Sequence, residues 1–255
     1  MTRRLRRRLG LLGLVIVGSA LAGCGSKPEA DVNSSYNPSS ATGRVFGSVL
    51  FEGTPPVMDT IRPSGSRFCV VNARNLTDQS VLVTKDGKLQ NVILYVKEGW
   101  QGRSYPIPAD TAVIDQQKCV YVPHVLAVQT GQKISVMNSD DTSHNVHSQT
   151  QQNSPFNFLQ QSKGVVNTVS FDHSENPFRI GCNLHSWMHV WVGVFDHPFH
   201  VTSGDFGTYE LKLPPGKYEI AAWHEKLGEK TKSVEVSDNG SAQLDFSFAE
   251  SDKAD

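Results

Sequence analysis

The sequence predicts an all-β protein of Greek-key sandwich type, and three observations carry that expectation. Beyond an N-terminal leader no long stretch repeats its apolar residues at helical spacing. Short runs alternating apolar and polar residues recur between turn signals. The 21 Gly and 13 Pro among 255 residues supply those turns. At 255 residues, less the leader, the chain is long enough for one large or two ordinary β domains, and a hydrophobic content of 38% fits a turn-rich β protein. The formal net charge of −1 gives no basis for a nucleic-acid partner, and none is expected.

The leader comes first. Arg3, Arg4, Arg6, Arg7 and Arg8 form a basic start, and residues 9–21 form an apolar run shorter than a membrane span. The run ends in Leu21-Ala22-Gly23-Cys24, which resembles the bacterial lipobox. That resemblance implies a signal peptide over residues 1–23, lipidation of the Cys24 thiol, and a mature protein tethered to a membrane outside the cytoplasm, periplasmic or at the cell surface. Residues 24–42 then serve as anchor and linker, polar and rich in Ser, Asn and Pro.

Strand signals begin at Gly43, where Val45, Gly47, Val49 and Phe51 alternate ahead of a Gly-Thr-Pro-Pro turn. Residues 59–80 read as irregular. Two strands, VLVT from Val81 and NVILYVK from Asn91, are expected around the turn at residues 85–88. Residues 99–109 read as a surface loop. Strands follow at 111–114, 119–122 and 125–128, and Gly131 turns the chain into ISVMN. After a polar stretch over 149–164 come VVNTVSF and two further strands, at 178–182 and 190–195.

The chemistry gathers in residues 176–195, NPFRIGCNLHSWMHVWVGVF. Phe178, Ile180 and Cys182 share one face of a strand, so the thiol ends that strand pointing inward. His185 and Met188 follow within a tight loop. Thiolate and thioether favour copper(I), imidazole suits either oxidation state, and a trigonal His2Cys set with a weak axial Met describes a blue copper site. A second imidazole is available upstream, where ISVMN ends in the turn Ser139-Asp140-Asp141 and His144 and His147 follow.

These two motifs, His-Asn-Val-His at 144–147 and Cys-x-x-His-x-x-Met at 182–188, resemble those of the cupredoxins, the amicyanin-like and plastocyanin-like blue copper proteins. The resemblance implies a cupredoxin-like Greek-key sandwich over residues 43–198. It also implies one type 1 copper held by His144, Cys182 and His185, with Met188 axial. His147 and His189 stay open as alternative ligands. Asn145 is implied to tie the two ligand loops together. Electrons are implied to pass through an exposed edge of His185 to a redox partner protein that docks weakly.

Residues 204–248 carry YELKL, a Leu213-Pro214-Pro215-Gly216 turn, KYEIAAWHE, KSVEVS and AQLDFSF, and resemble the carboxypeptidase regulatory-like module. A second, smaller immunoglobulin-like sandwich is therefore expected over residues 199–250, with 43–58 a candidate addition. With Cys24 assigned to lipid and Cys182 to metal, Cys69 and Cys119 are left to pair as a disulfide in an oxidising compartment, or else to join His124 at a metal. An electron carrier rather than an enzyme is expected. The alternatives are a non-redox structural or binding lipoprotein, and a copper-dependent enzyme with a second site drawn from His189, His197 and His200.

Overall fold

The computed structural model describes residues 36–252, which belong to one compact unit. The expected signal peptide and Cys24 lie outside the described residues. In chain order the strands are β1 (Gly43–Glu52), β2 (Ile93–Glu98), β3 (Ala112–Gln117), β4 (Val120–Val122), β5 (Val125–Gln129), β6 (Ile134–Asn138), β7 (His144–Ser148), β8 (Asn157–Gln160), β9 (Val166–Val169), β10 (Glu175–Gly181), β11 (His189–Phe195), β12 (His200–Thr202), β13 (Thr208–Leu213), β14 (Gly216–His224), β15 (Gly228–Val236), β16 (Ser241–Gln243) and β17 (Phe246–Ala249). The all-β expectation holds.

Four sheets enclose two main cores. An inner pair, ordered β4-β3-β6-β9 and β5-β11-β10-β7-β8, buries Ile114, Tyr121, Ile134, Val136, Val146 and Ile180 among others. An outer pair is built from both ends of the chain. Strand β1 lies between β13 and β16 and also pairs with β17, while β12-β2-β14-β15 forms the second sheet. Val45, Val49 and Phe51 of β1 turn inward, as strict alternation requires, and meet Leu213, Ile220, Phe246 and Phe248.

Gly47 shows how tightly this strand is covered. A Cβ there would lie 2.1 Å from the carbonyl oxygen of Leu244, in the backbone between β16 and β17. Gly47→Ala is therefore expected to destabilise the protein by about 1–3 kcal/mol through overpacking, read as a lower denaturation midpoint in urea.

The two sandwiches meet across a third cluster. Ile93, Tyr95, Val125, Phe195 and Ala221 are buried there, with Trp191 and Trp223 packed against them. Trp223 thus rests on the Trp191 ring, centroids 5.4 Å apart, at the junction of the two sandwiches rather than within the outer one alone.

Local differences from the sequence reading have local causes. The VLVT run forms only a bridge from Val83 to Leu89. The Thr84 hydroxyl donates to Asp86 and accepts the Lys88 N–H, which closes a tight turn, and the Leu89 N–H is spent on the Val49 carbonyl of β1. Within residues 59–80 a short helix, α1 (Arg67–Asn72), buries only Cys69. One buried position in six gives no apolar stripe, so periodicity could not announce it. Strands β8 and β12, of four and three residues, are too short for the alternation test.

Candidate metal centre

The inner sandwich brings His144, Cys182 and His185 together, with one ligand atom of each within 4.8 Å of the others. Register explains the meeting. β7 and β10 run antiparallel with His147 opposite Gly181, so the chain just beyond β10 returns beside the start of β7. The loop after β10 is then pinched at its neck. Cys182 N–H donates to the Met188 carbonyl at 3.1 Å, and Met188 N–H to the His185 carbonyl at 2.9 Å. This sets Cys182 and Met188 side by side, both buried.

Each group is oriented by a further contact. His144 Nε2–H donates to Asp140 Oδ2 at 2.9 Å, which leaves Nδ1 as the nitrogen facing the cluster. His144 Nδ1 lies 3.1 Å from His185 Nδ1, and His185 Nδ1 lies 3.7 Å from Cys182 Sγ. Three ligands about 2.0–2.3 Å from a shared ion in a trigonal plane stand about 3.5 Å apart. The donor set therefore fits a trigonal ion by composition and by spacing. Asp140 is itself fixed by the Lys118 and Cys119 N–H groups at 2.6 and 2.7 Å.

The Cys182 sulfur is prepared as an anion. Burial alone would raise its pKa, but hydrogen bonds from His144, from His185 and from the N–H groups of Asn145 and Leu184 bring it down to about 6. Burial would likewise lower His144, yet its hydrogen bonds to Asp140 and Cys182 hold it above the ordinary imidazole value. In the metal-free protein the ultraviolet thiolate absorbance is expected to grow as pH rises, with a midpoint near 6 rather than in the usual range about 8.5. A spectrophotometric titration against Cys182→Ser checks this.

Asn145 joins the two ligand loops by two contacts and is braced against β8 by a third. Its N–H donates to Cys182 Sγ at 3.3 Å, its Oδ1 accepts the Asn183 N–H at 3.2 Å, and its Nδ2 donates to the Phe158 carbonyl at 3.1 Å. His147 is not in the cluster: its Nδ1 sits 3.1 Å from Asn183 Oδ1. His189 points elsewhere too, and is within 4.8 Å of His124 and Glu225 instead. His197 and His200 stack on Phe195 and join neither group. Burial lowers their pKa values to about 4 and about 3, so both are neutral structural rings.

Two features differ from what the cupredoxin resemblance implies or lie beyond it. His185 has no exposed edge: it is 3% accessible, with Nε2 3.6 Å from Cys69 Sγ and the Trp187 ring 5.2 Å away. The cause is α1, pinned over the ring by a disulfide between Cys69 and Cys119. That bond also removes both sulfurs as thiolate ligands. Asp140 was not foreseen as a partner of His144; a carboxylate four residues ahead of a histidine in a post-strand turn is the signal that marks it.

No protein-family model matches the chain, and no curated protein matches it. Among solved structures the chain is similar in part to a copper-containing nitrite reductase from Thermus scotoductus, at 16% identity and a TM-score of 0.32 over 40% of this chain and 25% of the reductase. A purple cupredoxin from Nitrosopumilus maritimus aligns at 21% identity and a TM-score of 0.29, over 32% of this chain and 98% of that one. A point mutant of amicyanin in its reduced copper(I) form aligns at 21% identity and 0.30, over 34% of this chain and 85% of that one. The structural neighbours are thus cupredoxins and a copper reductase, and likenesses this partial leave the chemistry of the site to this chain's own residues.

Proposed function

We propose that this chain is a membrane-tethered single-electron carrier that holds one copper at His144, Cys182 and His185, with Met188 as a weak fourth ligand. The observation that carries the reading is the buried triad, with ring nitrogens 3.1 Å apart and a thiol 3.7 Å from one of them, its pKa held at about 6. Copper bound there would supply a one-electron couple. The chain's own residues do the rest. Cys182 presents a thiolate at neutral pH, Asp140 fixes the tautomer of His144, and the Asn145 N–H steadies the sulfur. A site so tied down changes little between charge states, which is what fast electron exchange requires.

The membrane tether rests on the Cys24 motif, and the compartment, periplasm or cell surface, follows from it. The partner would be a redox protein that docks weakly over the ligand loop. Leu184 is that loop's outward apolar side chain, 52% exposed. The buried edge of His185 favours docking on the covering residues rather than on the ring itself.

The test is to add copper(II) to the full chain and record its optical spectrum. An intense thiolate-to-copper charge-transfer band that bleaches on reduction and returns on reoxidation is expected; a colourless protein rejects the proposal. Asp140→Ala is expected to weaken copper binding about 10–100-fold by freeing the His144 ring, measured by competition with a chelator.

A further inference from the structure

A second group of ligating side chains lies where the two sandwiches meet. His124 follows β4 in the inner sandwich, His189 opens β11, and Glu225 follows β14 of the outer one, with one ligand atom of each within 4.8 Å of the others. We propose that His124, His189 and Glu225 form a second metal site, for a divalent ion of the zinc or copper(II) class, and that the site exists only while the two sandwiches are docked.

The hydrogen bonds around the group argue for an ion. His189 Nδ1 donates to the Trp187 carbonyl at 3.2 Å, so in the neutral ring the lone pair is on Nε2. That nitrogen faces Glu225 Oε2 at 3.6 Å, too far for a hydrogen bond. Two ligands of a tetrahedral ion with bonds of about 2.0–2.1 Å stand about 3.3 Å apart, close to this gap. Glu225 Oε1 and His124 Nε2 are in direct hydrogen-bond contact. On binding, the ion takes the place of the proton on His124 Nε2, and the neutral ring then carries its one proton on Nδ1.

The surroundings complete the case. Trp191 Nε1 donates to Glu225 Oε2 at 2.9 Å and aims the carboxylate, as the Trp187 carbonyl aims His189. His124 and His189 line a cleft of about 270 Å³, bordered by Asp78 and Gln79, which leaves room for water as a further ligand. With nitrogen and oxygen donors and no sulfur, this site selects against copper(I), whereas the triad at Cys182 favours it.

The inference stands whether or not the triad takes copper, so its test removes the thiol. Full-chain Cys182→Ser is dialysed against zinc(II) and its bound metal counted. One equivalent is expected, and adding His189→Gln, at a ring whose side chain is already 21% exposed, is expected to weaken it at least a hundredfold. Cobalt(II) in the same Cys182→Ser chain reads the ligands without altering them. Weak visible bands with no sulfur charge transfer are expected, with paramagnetically shifted ring protons belonging to His124 and His189. A Cys182→Ser chain that binds no zinc overturns the proposal. So do shifted protons belonging to His144 and His185, or an equivalent that His189→Gln leaves at full strength in a chain whose thermal unfolding stays cooperative.

Discussion

Replacing Cys182 by serine is expected to abolish the visible charge-transfer band completely in the copper-loaded chain, because serine's hydroxyl does not ionise near neutral pH and offers no soft donor. The fold should survive. Cys182 directly follows β10 at the edge of the inner core, and serine is nearly isosteric, so the metal-free variant should unfold within about 1–2 kcal/mol of the parent, the cost of a hydroxyl in a site that already offers hydrogen-bond partners. The pairing of an absent band with a near-normal denaturation curve is the informative result. A variant that kept the band would show that the absorbing copper sits elsewhere. Asn145→Ala offers a finer control: its backbone N–H still reaches the sulfur, while the contact from its side chain to Asn183 is gone, so the band should persist and shift.

The second large effect concerns the disulfide. Cys69 and Cys119 are 50 residues apart, and in the chain-entropy model closing a loop of that size stabilises the fold by about 4 kcal/mol. The double variant Cys69→Ser/Cys119→Ser is therefore expected to melt on the order of 10 °C lower by calorimetry. Both cysteines must be changed, since a lone Cys119 thiol would stand within ligand distance of Asp140 and His144 and draw metal into a false site. The same variant releases α1 from the ring it covers. His185 should then become reachable by solvent, read as faster exchange of its ring proton and faster reduction of bound copper by a small external reductant.

What the sequence made legible was what it kept local. Cys182, His185 and Met188 lie within one loop, and a strand that ends on an inward residue needs only alternation to be recognised. His144 follows a turn whose residues announce it. The β content was readable for the same reason, as in β1, where the inward set repeats every second residue. What stayed hidden depends on contacts between segments far apart. Nothing around Arg67–Asn72 tells that six residues will be clamped over His185, because the clamp is a covalent bond to Cys119. Nothing around Glu225 tells that its carboxylate will reach His124, a hundred residues earlier, since that meeting depends on how two sandwiches dock. The covered edge of His185 is the clearest lesson: a motif can place ligands about an ion while the rest of the chain decides what the outside world can touch.

The order of strands has a consequence for how the molecule comes into being. β3 to β11 follow one another along the chain and find their partners among themselves, so the pocket that holds the thiol and imidazoles can close without the C-terminal strands. β1 and β2 precede them but pair with strands from β12 to β17, so their edges stay open until the C-terminal part of the chain is present. A message truncated after β11 would yield a product with the first pocket formed, two orphaned strands in front of it, and a strong claim on chaperones and proteases.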